Sequence, residues 1–562
     1  MTTNIPTPWL NSLEGVRPTT LEYKQESTYQ MLKNWALEKP NNPFIIFPKG
    51  KILNFADTLN EVKQLSVQLK ALGVEKGDRI AVDLPNVPQY IISHFAIMSL
   101  GAIIVQTNPL YTERELIHQM NDSGAKGIIS LTLFQEKIEK IMPDTNLEFC
   151  VMANISDYLK PIITILGKLT KKLIDPKFVP KKGFFLYKDL MKTADSSKFN
   201  EEVVNLDDVT LLQYTGGTTG LSKGAMLTHR NISCNAQQAR SIIHHIPDGT
   251  GSVLTALPLF HSFALTICLG NSLAMGTSMV LLPKFNVEDA LSLVEKYKIT
   301  FFPGVPTMLI AMMSNKKFET IDLSSVIGVL SGGAALPLEV AREFEAKTGG
   351  SIVEGYGLSE TSPVTNANPL GSTKLAPRIG TVGPPVADTF VKIVDVNDYS
   401  KMIPVGQEGE ICLKGPQIFK GYWNNETATK EVLKEDGWFL TGDIGKLDED
   451  GFLSIVDRKK ELIIVSGNNV VPREVEEVIY THPAVLEVAV AGLKDRNKGE
   501  IVAAWVVLKE NKEATESELI DFCAKSLAPY KIPKKVTFKK ELPKSMIGKI
   551  LKRKILEQEE AN

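Results

Sequence analysis

What this chain of 562 residues lacks narrows the field first. It has five cysteines, Cys150, Cys234, Cys268, Cys412 and Cys523, and no two of them form a CxxC pair. Such scatter argues against a zinc site or a dithiol redox pair, and it predicts buried, reduced thiols. No run of ~20 apolar residues is available to span a bilayer. The opening MTTNIPTPWLNSLEG lacks the basic stretch and apolar core of a signal peptide. An excess of one charge is missing too. Lys+Arg number 63 against 65 Asp+Glu, a net charge of −2 that offers no general attraction to nucleic acid. The expectation is a cytoplasmic protein. The composition, 43% hydrophobic and 23% charged, is that of a folded globular chain. A single core rarely grows beyond ~250–300 residues, so more than one folding unit is expected.

Helical and strand patterns alternate through most of the sequence. Leu59, Val62, Leu65, Leu69 and Leu72 fall at helical spacing, and Gly73 follows as a C-cap. Arg79 to Leu84 reads as a strand, Tyr90 to Leu100 as a helix, and Ala102 to Gln106 as a strand. The alternation returns between Leu265 and Leu282. This predicts an α/β fold with largely parallel sheets. The last hundred residues predict a small α+β unit. Leu462–Val465 and Val470–Val471 flank a turn at Ser466-Gly467-Asn468-Asn469, Pro472 opens a helix, and Val485–Ala491 and Ile501–Leu508 are strands. Thr515 and Glu518 form a capping-box pattern before Leu519 to Leu527. The charged run Asp457-Arg458-Lys459-Lys460-Glu461 marks the junction.

One stretch stands apart. From Lys160 to Lys188 there are eight lysines and one acid, Asp175, interleaved with Ile162, Ile163, Ile165, Leu166, Leu169 and Leu173. Two readings are open: a basic amphipathic segment lying on an anionic membrane, or a solvated lysine-rich excursion.

The densest chemical signal is Tyr214-Thr215-Gly216-Gly217-Thr218-Thr219-Gly220-Leu221-Ser222-Lys223-Gly224, with three threonines, four glycines and a lysine in eleven residues. Glycines allow backbone N–H groups to approach phosphate oxygens closely, and the hydroxyls and lysine add donors and charge. The loop is not a Walker A motif, because Gly224 follows Lys223 where Ser or Thr is required.

This segment resembles the phosphate-binding signature of the adenylate-forming superfamily, which includes acyl-CoA synthetases, luciferases and nonribosomal peptide synthetase adenylation domains. Gly216 stands where that family often has Ser. Further resemblances follow in the family's order, from about residue 25 to about residue 556. Leu330-Ser331-Gly332-Gly333-Ala334-Ala335-Leu336 is similar to the segment lining the adenine pocket. Glu354-Gly355-Tyr356-Gly357-Leu358-Ser359-Glu360-Thr361 is similar to the next signature. The resemblance implies that Tyr356 stacks on adenine, Ser359 reaches phosphate and Glu360 holds Mg²⁺; an apolar ring suits a purine and a hard carboxylate suits that ion. Gly437 to Asp443 resembles the segment whose aspartate, here Asp443, accepts the ribose hydroxyls, and Arg458 matches the arginine nearby. Lys460 falls at the hinge position. Pro543-Lys544-Ser545-Met546-Ile547-Gly548-Lys549-Ile550 resembles the mobile lysine loop, with Lys549 as the catalytic lysine. A lysine bridging carboxylate and α-phosphate offsets their repulsion. The implied organisation is a large N-terminal domain, 1–457, with mixed and parallel sheets, and a small mobile C-terminal lid, 458–562.

Leu257 to Leu265 resembles the segment bordering the acyl pocket, with His261 and Thr218 placed beside Glu360 and Lys549 in the catalytic set. No charge intervenes between His261 and Lys284, and an apolar wall favours a fatty chain over an amino acid. An ordinary buried helix explains the same run. Leu265 stands where some long-chain synthetases carry a Trp gate. Gly467 lies in the hairpin that relatives use for the pantetheine tunnel, with Asn469 two places later. The resemblance is nearest to bacterial long-chain fatty-acid–CoA ligases. It implies fatty acid, ATP, Mg²⁺ and coenzyme A as reactants, with no nucleic acid. A homodimer and peripheral contact with the inner membrane surface fit the reading. An acyl-AMP ligase serving a carrier protein, and a medium-chain or aromatic acid–CoA ligase, remain the alternatives.

Overall fold

The structure, a computed structural model, describes residues 5–170, 173–215, 222–243, 246–333, 336–372, 374–378, 380–459, 461–465, 468–495, 499–545 and 550–560. The expected alternation of strands and helices is what folds. Asn54 accepts the Asp57 N–H at 2.7 Å and starts the helix Phe55–Ala71. That helix buries Val62, Leu65 and Leu69, and Gly73 follows it in the left-handed region at φ +88°.

Two large sheets carry the N-terminal part. One has seven strands in the order Phe184–Leu186, Phe149–Ala153, Gly127–Leu131, Arg79–Asp83, Ile103–Gln106, Val209–Thr215 and Lys223–Thr228. It is parallel except for its last pair. The other has eight strands, with Ser351–Gly357, Gly328–Ser331, Phe301–Gly304, Ser252–Thr255, Ser278–Leu281 and Pro43–Ile46 as its parallel centre. Such strands are buried on both faces, and Gly328–Ser331 and Ser252–Thr255 accordingly expose no residue. A third, antiparallel sheet joins Phe390–Val394, Gly409–Lys414, Phe439–Leu447 and Leu453–Arg458.

From Ile463 onward the chain forms a separate five-stranded sheet with its own apolar clusters, one around Val475, Ile479, Val488 and Leu519 and one around Trp505 and Ile555. Pro472 opens the helix Pro472–Tyr480, and Thr515 and Glu518 form the anticipated capping box. The hairpin differs from expectation. Asn468 and Asn469 are not turn residues but pair with Val465 and Ile464 inside the strand Asn468–Val470. Strand pairing is made by backbone N–H and C=O groups, so the ladder extends past the apolar residues that announced it. All five cysteines are free and buried, and burial pushes the thiols up, to about 12 for Cys150, Cys268 and Cys412 and about 11 for Cys234 and Cys523. Among the described residues no helix is long and apolar enough to cross a membrane.

Candidate active site

Parallel strands end where their following loops can meet, and a ligand crevice is expected beyond their carboxyl ends. A cleft of about 2350 Å³ lies there. The strand Val209–Thr215 runs antiparallel to Lys223–Thr228, and Thr215 and Lys223 face each other as the last pair before the Gly/Thr loop. Both line the cleft. The loop's edge is held from the helix Glu113–Ser123. His118 Nε2 lies 2.9 Å from the Ser222 carbonyl oxygen, to which it donates, and the Tyr214 hydroxyl donates to Asp122 Oδ2 at 2.6 Å.

The strand Ser351–Gly357 delivers Glu354, Gly355, Tyr356 and Gly357 to the same cleft, with Ser359 and Glu360 one turn later. Gly357 is required by close packing: a Cβ there would sit 1.6 Å from the Pro363 carbonyl oxygen. Glu360 is buried, and its Oε1 accepts from the Tyr422 hydroxyl at 2.8 Å. Burial raises its carboxyl above the ordinary value, while the Tyr422 hydrogen bond and the Arg458 charge pull it back. Ser359 Oγ lies 3.3 Å from Ser262 Oγ, which joins this loop to the segment after His261.

Glu354 has a second task. Its Oε1 accepts the Leu336 N–H at 2.9 Å, so it fixes the far end of the segment that begins at Gly332 and Gly333. Gly333 takes φ +79°, a conformation other residues rarely adopt. On the opposite wall the antiparallel sheet sets Asp443 and Arg458 as cross-strand partners. Arg458 Nε is 3.5 Å from Asp443 Oδ1, and the Tyr356 hydroxyl donates to Asp443 Oδ2 at 2.5 Å. An aromatic ring, a carboxylate and a guanidinium are thus joined, a set that suits a purine nucleoside.

His261 is half-buried and starts the short helix Ser262–Ala264, its Nδ1 accepting the Phe263 N–H at 3.3 Å. Only Phe263 of the following apolar residues reaches the cleft; Leu265, Ile267 and Leu269 pack into the core through a π-helical turn, Leu265–Gly270. That run is therefore a buried helix. Apolar lining comes also from Pro306, Ile310 and Ala311, on the helix Pro306–Met313, which the sequence did not single out.

Sequence reading also missed Tyr422 and Asn86. The Tyr422 ring lies under the Lys223 ammonium, 5.2 Å from centroid to nitrogen. Buried Asn86 donates to the carbonyls of Thr255, Leu257 and Leu282 and accepts the Leu259 N–H at 2.8 Å, so it ties down the loop that carries His261. No motif announces either residue. Gly216, Gly217, Thr218, Thr219, Gly220, Ala334, Lys460, Gly467 and Lys549 lie outside the described residues, and of Asn469 only the backbone is described.

Known proteins resemble the chain along nearly its whole length. The family described as AMP-binding enzyme matches residues 32–423, and the AMP-binding enzyme C-terminal domain matches 474–549. The chain is 41% identical over 557 residues to a long-chain-fatty-acid–CoA ligase of Bacillus subtilis, covering 99% of this chain and 98% of the relative. It is 37% identical over 563 residues to the same-named enzyme of Escherichia coli, covering 98% of each. Among solved structures, an anthranilate CoA ligase in complex with anthranoyl-AMP superimposes with a TM-score of 0.84 at 26% identity, covering 96% of this chain and 98% of that one. O-succinylbenzoate coenzyme A synthetase of Bacillus subtilis, in complex with ATP and magnesium ion, gives 0.76 at 29%, covering 95% and 99%.

Proposed function

The chain belongs to the AMP-binding enzyme family, and from that premise we propose that it activates a long-chain fatty acid as its acyl-adenylate and passes the acyl group to coenzyme A. The observation that carries the reading is the meeting of Thr215 and Lys223, Glu360 with Tyr422, and Tyr356 with Asp443 and Arg458 in one cleft.

In this reading Tyr356 packs against the adenine and Asp443 exchanges its Tyr356 and Arg458 partners for the ribose hydroxyls. Lys223 and the Thr215–Gly220 loop, with Thr218 and Thr219, hold the β- and γ-phosphates. Among the described residues no cluster of three His, Cys, Asp or Glu could hold a metal alone. A magnesium ion entering with ATP needs only one hard carboxylate beside phosphate oxygens, and Glu360 supplies it. Bound there, the ion would neutralise phosphate charge.

The fatty carboxylate oxygen attacks the α-phosphorus, the bond to the β-phosphate oxygen breaks, and pyrophosphate leaves. His261, at the border of the apolar wall, positions the carboxylate. Coenzyme A, deprotonated at sulfur, then attacks the acyl carbon, and AMP leaves with the carbon–oxygen electron pair. Residues 1–457 form the nucleotide- and acyl-binding unit in this proposal, and 458–562 form a lid hinged near Lys460. The lid offers Lys549 to the first step, then turns Gly467 and Asn469 toward the pantetheine. The enzyme works on the cytoplasmic side and touches the inner membrane surface peripherally.

Product analysis by mass spectrometry tests the reaction, with ATP, Mg²⁺, coenzyme A and a panel of fatty, aromatic and amino acids. Fatty acyl-CoA and AMP are expected; an adenylate that persists in the presence of coenzyme A points to a carrier-protein acceptor. Lys549→Ala tests the lid. Acyl-AMP formation should fall by about a hundredfold or more, while thioester formation from preformed acyl-AMP is spared. Equal loss in both half-reactions contradicts the two-conformation assignment.

A further inference from the structure

The helix Pro161–Leu169 contradicts the usual arrangement of a surface helix. Its large aliphatic residues Ile162, Ile165, Leu166 and Leu169 fall at i, i+3, i+4 and i+7, the spacing of a single stripe. That stripe normally faces the core. Here the four side chains are 60%, 56%, 50% and 75% exposed, and no residue of the helix is buried.

The segment is not a loose excursion. Before the helix, Tyr158 is buried, Lys51 N–H donates to its carbonyl oxygen at 2.8 Å, and Lys160 N–H donates to the Lys49 carbonyl at 3.2 Å. After it, Leu173 N–H returns to the Gly167 carbonyl at 3.0 Å. Farther on, Asp175 accepts the Ser156 N–H at 3.3 Å, and Gln135 and Val179 exchange side-chain-to-backbone hydrogen bonds. Both ends are clamped to the body, and the apolar stripe is held outward.

The exposed charges described between Lys160 and Lys188 have one sign. Lys160, Lys168 and Lys177 are exposed and make no ion pair among the described residues. The adjoining hairpin adds exposed Lys49, Lys51 and Ile52. Asp175, the single acid between Lys160 and Lys188, is already engaged by a backbone N–H.

We propose that Pro161–Leu169 and the lysines around it form a docking surface for an anionic lipid bilayer. The aliphatic stripe enters the headgroup–acyl boundary and the lysines meet lipid phosphates. At 1.5 Å per residue the nine-residue helix is about 14 Å long, far short of a ~30 Å span, so it lies in the interface. A second copy of the chain is the poorer partner. A two-fold contact through this face would set lysines against lysines. The inference rests on the peripheral localisation proposed above and names the element and lipid class responsible.

Flotation of the full chain with phosphatidylglycerol–phosphatidylcholine vesicles, and with phosphatidylcholine alone, tests it. The native chain should float with the anionic vesicles and bind the neutral ones about tenfold less. Leu166→Glu with Leu169→Glu should lower anionic-vesicle binding about tenfold or more. Changing Lys160, Lys168 and Lys177 to Gln keeps the stripe and should lower binding severalfold, with a weaker salt dependence. Thioester formation from a water-soluble fatty acid without vesicles should be equal in all three chains; this shows that they fold and reads the proposed reaction separately. A native chain that stays with the protein layer overturns the docking surface, as does a Glu double variant that floats unchanged. If that double variant instead dissociates a larger species while flotation is unaltered, the stripe is a contact between copies and the lipid proposal is wrong.

Discussion

Tyr422 shows how one side chain can set the charge of another. Its hydroxyl donates to Glu360, its ring faces the Lys223 ammonium, and its backbone pairs with Ala225. Glu360 must be ionised to hold a cation, yet burial raises its carboxyl. Removing a hydrogen bond that favours the anion raises it further. Tyr422→Phe should therefore move the acid limb of the pH–rate profile for acyl-AMP formation toward higher pH. Near neutrality the rate should fall about tenfold, the worth of a hydrogen bond to a charged group. Raising the pH should restore part of the loss. A limb that stays in place would show that Glu360 is not the titrating group. Tyr356, Glu360, Asp443 and Arg458 were legible in the sequence because each sits inside a contiguous signature. Tyr422, Asn86 and His118 were not, because each is a lone residue whose partners lie far away in the chain: Glu360, Leu259 and Ser222.

Elements with local causes were also legible. The helix after Asn54, the capping box at Thr515 and the proline-led helix at Pro472 each depend on neighbours in sequence. Sheet order was not. Pro43–Ile46 pairs in parallel with Ser278–Leu281, and no local pattern encodes a contact across such a separation. The exposed stripe of Pro161–Leu169 has the same limit, since periodicity reveals a face but not what covers it. Glycines separate two kinds of constraint. A Cβ at Gly357 collides with backbone, whereas at Gly73 it meets open space and only the φ of +88° resists it. Gly357→Ala should thus cost about 3 kcal/mol or more, and Gly73→Ala about 1 kcal/mol. Urea unfolding of the two variants measures the contrast. Equal losses would mean that the strand ending at Gly357 shifts freely, which a loop holding Ser359 and Glu360 in place would not allow.

Across the whole molecule, stability should depend on pH through buried groups rather than net charge. Burial pushes the His94 imidazole down to about 3, with the His229 charge acting in the same direction, and burial pushes His229 down to about 4. Below pH ~6.5 the unfolded chain takes up protons that these folded imidazoles refuse, so each contributes stability at neutral pH that is lost as the pH falls. The slope reaches about 1.4 kcal/mol per pH unit for each. Asp83 has the opposite sign. Burial raises its carboxyl to about 6, so between pH ~6 and ~4 the folded chain binds the extra proton and gains stability on acidification. A single unfolding curve mixes these effects, but a difference between two chains separates them. His94→Phe keeps a ring beside Phe95 and abolishes the titration. The stability of this variant relative to the native chain should rise by about 1.4 kcal/mol per pH unit as the pH falls from ~6 to ~4.5. Asp83 and the surface carboxyls cancel from that difference. A pH-independent difference would mean that His94 is protonated as readily in the folded chain as in the unfolded one, and the core around Tyr90 and Phe95 would then have to admit water.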